Sequence, residues 1–313
     1  MNPVWHSHRW LNRLQSALLI LSMLGIAAMT GFLLLGETGA WLAASVALIA
    51  LLIEPTSASE LTLRLYGARP LHPAEAPGLW ALLRQLAERT GLPAVPVPHY
   101  VPSQMINAFA TGSRQRAAIA LTDGLLRTLT PRELAGVLAH EVAHIAHGDL
   151  RVMGLADSIS RLTSLLALLG QLMLLISLPW FLLGEVAVSW PAWLLLALAP
   201  HLTLLAQLGL SRVREFDADL MAARLTGDPQ GLASALARIE QVSHSWRRWL
   251  LPGWGNPEPS WLRTHPATAA RIKRLHALST PGWAGLPTAA RDVHDGWVCP
   301  SHAPRWHLGG YWR

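Results

Sequence analysis

Residues 140–144, which read H-E-V-A-H, have types and a spacing that can bind a metal ion and activate water. On a helix, residues four positions apart lie on one face, so His140 and His144 can offer two imidazoles to one cation. Zinc accepts imidazole nitrogens and keeps one position open for water in catalytic sites. Glu141 lies beside that face, so the pattern predicts a hydrolytic zinc site with Glu141 as the base. Two ordinary helical histidines are the alternative.

The segment that carries this motif has the start and stop signals of a helix. Thr130 is a good N-cap, Pro131 suits the first helical position, and Glu133 completes a capping box. Gly148 suits the position that follows the last turn. The sequence therefore predicts a helix of about four turns that ends at its own local signals.

Two acidic residues further along the chain, Glu215 and Asp219, are candidates to complete the site. They are also four positions apart on a predicted helix, so their carboxylates share a face. Glu215 can serve as the third zinc ligand, and Asp219 can accept the second N–H of a ligating histidine and fix its tautomer. The alternative is an acidic face that pairs with Arg212 and Arg214, which the nearby metal-binding motif makes the weaker interpretation.

The motif H-E-V-A-H-I-A-H-G-D (140–149), followed after two apolar spans by E-F-D-A-D (215–219), resembles the HtpX-type zinc metalloproteases. That group belongs to the superfamily of the eukaryotic prenyl-protein (CAAX-type) protease. The resemblance covers most of the chain between residues 70 and 278, including N-A-F-A-T-G (107–112), L-T-D-G-L-L (121–126) and T-H-P (264–266). It implies His140, His144 and Glu215 as ligands of one Zn²⁺ per chain, and Glu141 as the catalyst.

The resemblance also implies a substrate and a place to bind it. The strand at Asn107, Ala108 and Phe109 is expected to lie along an extended peptide, as an exposed sheet edge does in strand addition. The implied activity is hydrolysis of peptide bonds in unfolded or damaged membrane proteins of a bacterial inner membrane. Two alternatives stay open, namely a non-enzymatic membrane scaffold with a structural metal and a protease for lipid-modified proteins.

Four apolar segments predict two transmembrane hairpins. They run over residues 16–35, 40–53, 162–183 and 190–210. About 20 residues at 1.5 Å per residue cross the hydrocarbon core of a bilayer. Arginines flank the outer ends of both hairpins, whereas the short connectors carry only Glu37 and Glu185, so the positive-inside rule predicts that both termini and the site are cytosolic. Four buried helices of a soluble protein are the alternative.

The composition agrees with a membrane protein and argues against other classes. Only 14% of the residues are charged, against roughly 25% in soluble domains. The net charge of +6 comes mostly from arginines beside the apolar segments rather than from one block, so a nucleic-acid partner is not expected. Since Cys299 is the only cysteine, an internal disulfide is excluded.

The predicted fold class is mainly α with a small β-hairpin or sheet, comprising four transmembrane helices and a zincin-like metalloprotease domain. Residues 1–54 form an N-terminal hairpin, 55–161 a cytosolic protease region, 162–210 the second hairpin, 211–280 the region of the third ligand and 281–313 a tail. Within the polar regions we expect helices over 73–91, 228–242 and 266–278, an extended stretch over 93–102, and a hairpin that pairs 105–112 with 117–122.

Three further features have alternative interpretations that the sequence leaves open. His265 stands before a helix start at Pro266, and could stabilise an oxyanion, bind the metal in a resting state or cap that helix. His201 lies inside the fourth span, where it is either functional or satisfies a carbonyl freed by Pro200. Cys299 and the tail histidines could bind a second metal, but their irregular spacing favours a flexible tail.

Overall fold

The computed structural model describes residues 3–52, 56–183, 189–247, 268–278, 306–307 and 311–312. The helices are α1 (Pro3–Leu35), α2 (Glu37–Leu52), α3 (Thr56–Leu65), α4 (Pro77–Thr90), α5 (Asp123–Thr128), α6 (Pro131–His147), α7 (Asp149–Leu182), α8 (Trp190–Thr226), α9 (Pro229–Arg247) and α10 (Thr268–Leu278). The strands are β1 (Arg69–Pro70), β2 (Val97–Val101), β3 (Ala108–Gly112), β4 (Ala117–Thr122), β5 (Trp306–His307) and β6 (Tyr311–Trp312). The chain divides into two compact units.

The first unit comprises residues 1–53, 151–213 and 260–265, and its described part is helical. Its core is made of small and apolar side chains such as Met23, Ala27 and Ala156. A polar contact between two of its helices is the hydrogen bond of 2.8 Å that Ser160 donates to the Gln207 side chain. Large apolar side chains cover much of the outer surface of these helices, which is the surface a lipid environment favours.

Three of the four predicted spans are long and apolar enough to cross a membrane. They lie in α1, α7 and α8, which the structure extends well beyond the predicted bounds. The second span, α2, has 16 residues, which corresponds to about 24 Å of helix. It is therefore shorter than a full span, and its crossing stays a prediction. Pro200 lies inside α8, and the nearby His201 ring is exposed, with Nδ1 3.2 Å from the carbonyl oxygen of Ala197.

The second unit comprises residues 54–150, 214–259 and 266–313 and contains a four-stranded sheet of order β1-β2-β4-β3. The predicted hairpin is confirmed, because β3 and β4 pair antiparallel with Ala108 opposite Leu121. The Pro-rich stretch predicted only as extended supplies β2, which pairs in parallel with β4. Every residue of β4 is buried, so its alanines serve a covered central strand rather than an exposed one.

Helices α4, α6 and α9 build the core around this sheet. The leucine stripe predicted for α4 is buried, but the predicted start at Pro73 is wrong, since the helix begins at Pro77. Residues 73–75 form a turn in which the Glu75 carboxylate accepts a hydrogen bond from the main-chain N–H of His72. Helix α6 contacts α9 at Gly136, where a Cβ would lie 2.9 Å from the Cα of Leu232. This glycine lets the two helix backbones approach closely.

The remaining differences concern elements whose bounds the sequence predicts incompletely. Helix α3 was not predicted, and α9 extends past the expected end at residue 242. The predicted helix from Pro266 is described as α10 from Thr268. Most of the predicted tail, including Cys299, lies outside the described residues, and the part that is described forms the short pair β5–β6.

Candidate metal centre

Helix α6 has the boundaries that the sequence predicts. The Thr130 side chain accepts a hydrogen bond from the main-chain N–H of Glu133, and the Glu133 carboxylate accepts one from the main-chain N–H of Thr130. At the other end, Gly148 adopts a left-handed conformation with φ 72°, which suits glycine because it has no Cβ. These local signals fix the length and rotation of the helix, so that His140 and His144 share one face.

The structure brings His140, His144 and Glu215 together. The Nε2 atoms of the two histidines are 3.1 Å apart. Glu215 Oε2 lies 3.4 Å from His140 Nε2, and Glu215 Oε1 lies 3.5 Å from His144 Nε2. The carboxylate comes from α8, far along the chain from the histidines, and it is 5% exposed. Among the described residues, this is the group whose donor atoms lie close enough to hold one metal ion.

The distances between these donor atoms fit a tetrahedral metal site. Zinc binds imidazole nitrogen and carboxylate oxygen at ~2.0–2.2 Å, and donor atoms at tetrahedral corners are then ~3.3–3.6 Å apart. The two Nε2 atoms are 3.1 Å apart, and each has a different oxygen of Glu215 at 3.4 or 3.5 Å, which is close to that range. The three side chains are therefore already placed as ligands of one small cation.

The outer nitrogens of both imidazoles face carboxylates. His140 Nδ1 lies 3.0 Å from Asp219 Oδ1, and His144 Nδ1 lies 2.8 Å from Asp149 Oδ2. Each Nδ1 thus carries the proton and donates, which leaves the Nε2 lone pairs directed at each other and at Glu215. Three electron-rich donors in contact repel one another unless protons or a cation lie between them. The donor set therefore fits a metal ion.

Arg271, a residue that the sequence analysis did not single out, lies at the centre of this cluster. It belongs to α10 and is 5% exposed. Its Nε and Nη2 donate to the two oxygens of Asp219 at 2.7 and 2.6 Å, and its Nη1 lies 2.8 Å from Glu215 Oε2. A signal was available, since Arg271 shares a helix face with the buried Leu275. An arginine in an apolar stripe indicates a buried charged partner.

Asp149 was also missed as a site residue. It follows the C-cap Gly148, and the turn there brings its carboxylate back to His144. Its other oxygen lies 3.2 Å from Arg214 Nη1. Arg214 thus lies beside Asp149, where it balances the charge of a carboxylate that holds a histidine.

The charges of the described cluster call for a further positive charge. It contains four carboxylates and two guanidiniums, from Glu141, Asp149, Glu215, Asp219, Arg214 and Arg271. With neutral imidazoles, these groups have an excess of two negative charges in a buried setting. Because isolated charges are costly to bury, such a cluster attracts protons or a divalent cation.

The raised pKa values of the two histidines also indicate that this cluster favours positive charge. Burial lowers the pKa of His140, but hydrogen bonds with Asp219 and Glu215 outweigh burial, so the pKa lies above its ordinary value. Burial also opposes protonation of His144, yet its bonds with Asp149 and Glu215 raise its pKa well above the ordinary value. In the absence of a metal, protons therefore occupy the place where the carboxylates favour positive charge.

Glu141, the predicted base, lies on α6 directly after His140 and is 9% exposed. Its negative charge contributes to the raised pKa of Arg271, for which burial is the largest opposing effect and Asp219 and Glu215 are the main favourable ones. Glu141 therefore acts electrostatically on the same cluster as the candidate ligands.

The predicted substrate strand occupies one edge of the described sheet. Ala108 and Phe109 belong to β3, and Asn107 precedes it. The main chain of Asn107 is held by Thr122, whose hydroxyl accepts from its N–H at 2.9 Å and donates to its carbonyl at 2.8 Å. The Phe109 ring is 1% exposed and packs against Tyr66. The register pairs Phe109 with Ala120, so its main-chain groups face β4, as those of Asn107 do. His265 lies outside the described residues.

Comparison with known proteins gives the relatives of this chain. The sequence profile described as "Peptidase family M48" matches residues 73–279. The chain belongs to peptidase family M48. The M48 match includes the helix with the H-E-x-x-H motif, both carboxylates of α8 and Arg271. This M48 chain is a peptidase, and its three long apolar helices indicate a membrane protein.

Two curated relatives of this M48 peptidase carry the same description. A "Protease HtpX homolog" of Acaryochloris marina is 41% identical over 239 residues, covering 70% of this chain and 78% of that protein. Another from Nostoc punctiforme is 34% identical over 301 residues, covering 89% and 99%. The crystal structure of S. mikatae Ste24p is 22% identical and covers 66% of this chain and 50% of that one. Its TM-score of 0.38 is too low to support an argument.

Proposed function

We propose that this M48 peptidase is an integral-membrane zinc-dependent endopeptidase whose metal is held by His140, His144 and Glu215. The observation that carries the proposal is the convergence of two imidazoles and one carboxylate. The two Nε2 atoms are 3.1 Å apart, each lies 3.4 or 3.5 Å from an oxygen of Glu215, and both histidines are held by carboxylates at Nδ1. That geometry suits a cation and has no equally simple structural purpose. One zinc ion per chain is expected.

Zinc bound there would supply a Lewis acid that polarises a water molecule and lowers its pKa. Asp219 and Asp149 hold the imidazoles in the tautomer that presents Nε2, which orients both histidines toward one point. Glu141 takes the proton of the attacking water on a carboxylate oxygen and delivers it to the leaving amine. Burial of this cluster strengthens each of these electrostatic effects, because less water screens the charges.

We further propose that the substrate binds as an extended segment along β3 at Asn107, Ala108 and Phe109, with main-chain hydrogen bonds to Ala108, because the N–H and C=O of Asn107 bond to Thr122. The support is that β3 is an edge strand in the described sheet and that Thr122 fixes the main chain of Asn107. Recognition through main-chain hydrogen bonds is tolerant of side chains. Such tolerance suits unfolded or damaged membrane proteins, as expected of a peptidase in membrane-protein quality control.

The proposed location is a bacterial inner membrane, with several crossings and with both termini and the site in the cytosol. The support is the arginine distribution in the sequence together with the three long apolar helices. The five-part organisation of hairpins, protease regions and tail predicted from the sequence is proposed on the same basis. His265 is proposed to approach the metal or a developing oxyanion.

The substitution Glu141→Gln tests this function. The variant keeps the size of the side chain and removes its ability to hold a proton, so cleavage of a labelled unfolded protein is expected to fall by about 10²- to 10⁴-fold. Zinc content, measured on the same preparation, is expected to stay at one per chain, because Glu141 is not a proposed ligand. Cleavage at the wild-type rate would refute the catalytic role and favour a metal that serves only as a scaffold.

A further inference from the structure

The two oxygens of Glu215 have different surroundings. Their distances to the imidazoles are nearly equal, with 3.4 Å from Oε2 to His140 Nε2 and 3.5 Å from Oε1 to His144 Nε2. Those distances alone would let the carboxylate bind a metal through both oxygens. The closest contact between the Arg271 guanidinium and this carboxylate, however, is from Nη1 to Oε2, at 2.8 Å. The arginine therefore makes the two oxygens chemically unequal.

Asp219 fixes the position of that arginine. The Nε and Nη2 atoms of Arg271 donate to both oxygens of Asp219, at 2.7 and 2.6 Å, in the paired geometry that only a planar guanidinium offers. Asp219 and Glu215 are one turn apart on α8, and both are buried. With two bonds to Asp219, the guanidinium cannot turn away from Glu215 without leaving buried charges unpaired, which is costly.

We infer that Arg271 is a positioning residue that restricts Glu215 to one metal-binding oxygen and thereby keeps one coordination position open. This inference rests on the proposed function, in which Glu215 is a ligand. The guanidinium charge beside Oε2 draws electron density from that oxygen and makes it the weaker donor toward a metal. Glu215 then binds through Oε1, and with His140 and His144 it makes three protein ligands. Three protein ligands with an open fourth position are typical of catalytic zinc, whereas four filled positions are typical of structural zinc.

Removal of Arg271 should let Glu215 bind through both oxygens. In Arg271→Met, the cation that holds Oε2 is gone, and two buried carboxylates are left to satisfy their charge on the metal. We expect the variant to bind one metal ion per chain but to fill the open position. Arg271→Lys retains the charge but not the planar fork, so it should recover only part of the wild-type behaviour.

Arg274 offers a matched control on the same helix. It is exposed, and its guanidinium carbon lies 3.7 Å from the centre of the Phe216 ring, next to Glu215 in the sequence. Arg274→Met thus removes an arginine that, like Arg271, connects α10 to α8. Unlike Arg271, it has no described bond to a carboxylate of the site. An effect that comes merely from weaker docking of α10 would appear in both methionine variants.

The experiment uses the full-length protein in detergent, stripped of metal and loaded with one equivalent of Co²⁺, which binds such nitrogen and oxygen sites as zinc does. Four-coordinate cobalt absorbs visible light much more strongly than five- or six-coordinate cobalt. Wild type and Arg274→Met should give the strong spectrum, Arg271→Met should lose most of the intensity per bound cobalt, and Arg271→Lys should lie between them. Cleavage with zinc should fall by about 10- to 100-fold in Arg271→Met.

Equal spectra for wild type and Arg271→Met, or the same loss in Arg274→Met, would overturn the inference. Should Arg271→Met fail to fold, X-ray absorption of the zinc-loaded wild type decides, because binding of Glu215 through both oxygens in that protein contradicts the inference directly. Failure of the proposed function is separately visible. In that case His140→Ala would bind cobalt as tightly as wild type, whatever the spectra of the Arg271 variants.

Discussion

The two ends of α6 are stabilised in different ways. At the capped end, which comprises Thr130 to Glu133, the contacts are a capping box and ion pairs whose arginines are largely exposed. At the histidine end, which comprises His140 to His144, the partners are carboxylates that are almost wholly buried. The charges and hydrogen bonds of the capped end are satisfied within the protein, whereas the groups around the histidine end have an excess of negative charge. Local bonds thus define the helix, and the excess negative charge defines the site.

The largest effect is expected from loss of a histidine at the histidine end. His144→Ala removes one of three proposed ligands, so stoichiometric zinc binding and proteolysis should both disappear. His147→Ala is the matched control, because His147 is three residues further along the same helix and is exposed. Metal analysis after dialysis checks both variants. Zinc retention at one per chain in His144→Ala would contradict the claim that the histidine end of α6 binds the metal.

The carboxylates that pair with each end give a second, smaller contrast. Asp149→Asn should weaken zinc binding by about 10- to 100-fold, because a neutral amide, which can donate as well as accept, replaces the charged acceptor that fixes the tautomer of His144. Asp228→Asn alters the partner of Arg132 at the capped end and should leave zinc affinity unchanged. Competition with a chelator of known affinity measures both. Equal losses in the two variants would show that the effect is general destabilisation.

Sequence signals predicted helix α6 and the sheet to different degrees. The bounds of α6 were predictable because Thr130, Glu133 and Gly148 act within their own turns. The parallel pairing of β2 with β4 was not predictable in the same way, since it joins distant segments and β2 carries Pro98 in a stretch rich in prolines. Local chemistry specified elements, and distant pairing specified the sheet.

The same division applies to the site. His140, His144, Glu215 and Asp219 were predicted because each pair is four residues apart on one helix, and the structure brings all four together. Arg271 was not predicted because its partners lie on α8, and the one signal on its own helix, its place one turn before the apolar Leu275, does not identify those partners.

At the capped end, Glu133→Gln should reduce stability and its dependence on pH. Burial raises the pKa of Glu133, but hydrogen bonds from Ser234 and Thr130 outweigh burial and set the pKa below its ordinary value. A lowered pKa means that Glu133 stabilises the folded state above its unfolded pKa, and that this contribution disappears as pH falls through the folded pKa. The variant should lose about 1–3 kcal/mol at neutral pH and less in acid.

Thermal unfolding of the metal-free protein in detergent, at neutral pH and at successively lower pH, checks this prediction. Wild type and Glu133→Gln should converge as the pH falls, and the zinc content of the variant at neutral pH should match wild type. A constant difference at every pH would contradict the role assigned to the Glu133 charge.

The smallest effect is expected from the exposed ion pair at the capped end. Arg132 bonds to Asp228, but its side chain is 59% exposed, so water and salt screen the pair. Arg132→Gln should lower the free energy of unfolding by about 0.2–1 kcal/mol, with the difference vanishing at high salt. Denaturant unfolding at low and high salt measures it. A larger loss of unfolding free energy that persists at high salt would show that the Arg132–Asp228 pair is not screened by solvent as its exposure indicates.

The most direct measurement of the central claim is anomalous X-ray diffraction from crystals of the zinc-loaded protein, recorded on both sides of the zinc absorption edge. We predict one anomalous peak per chain, in contact with Nε2 of His140, Nε2 of His144 and an oxygen of Glu215. A zinc peak elsewhere in the chain, with the Glu215 carboxylate directed away from the two imidazoles, would contradict it.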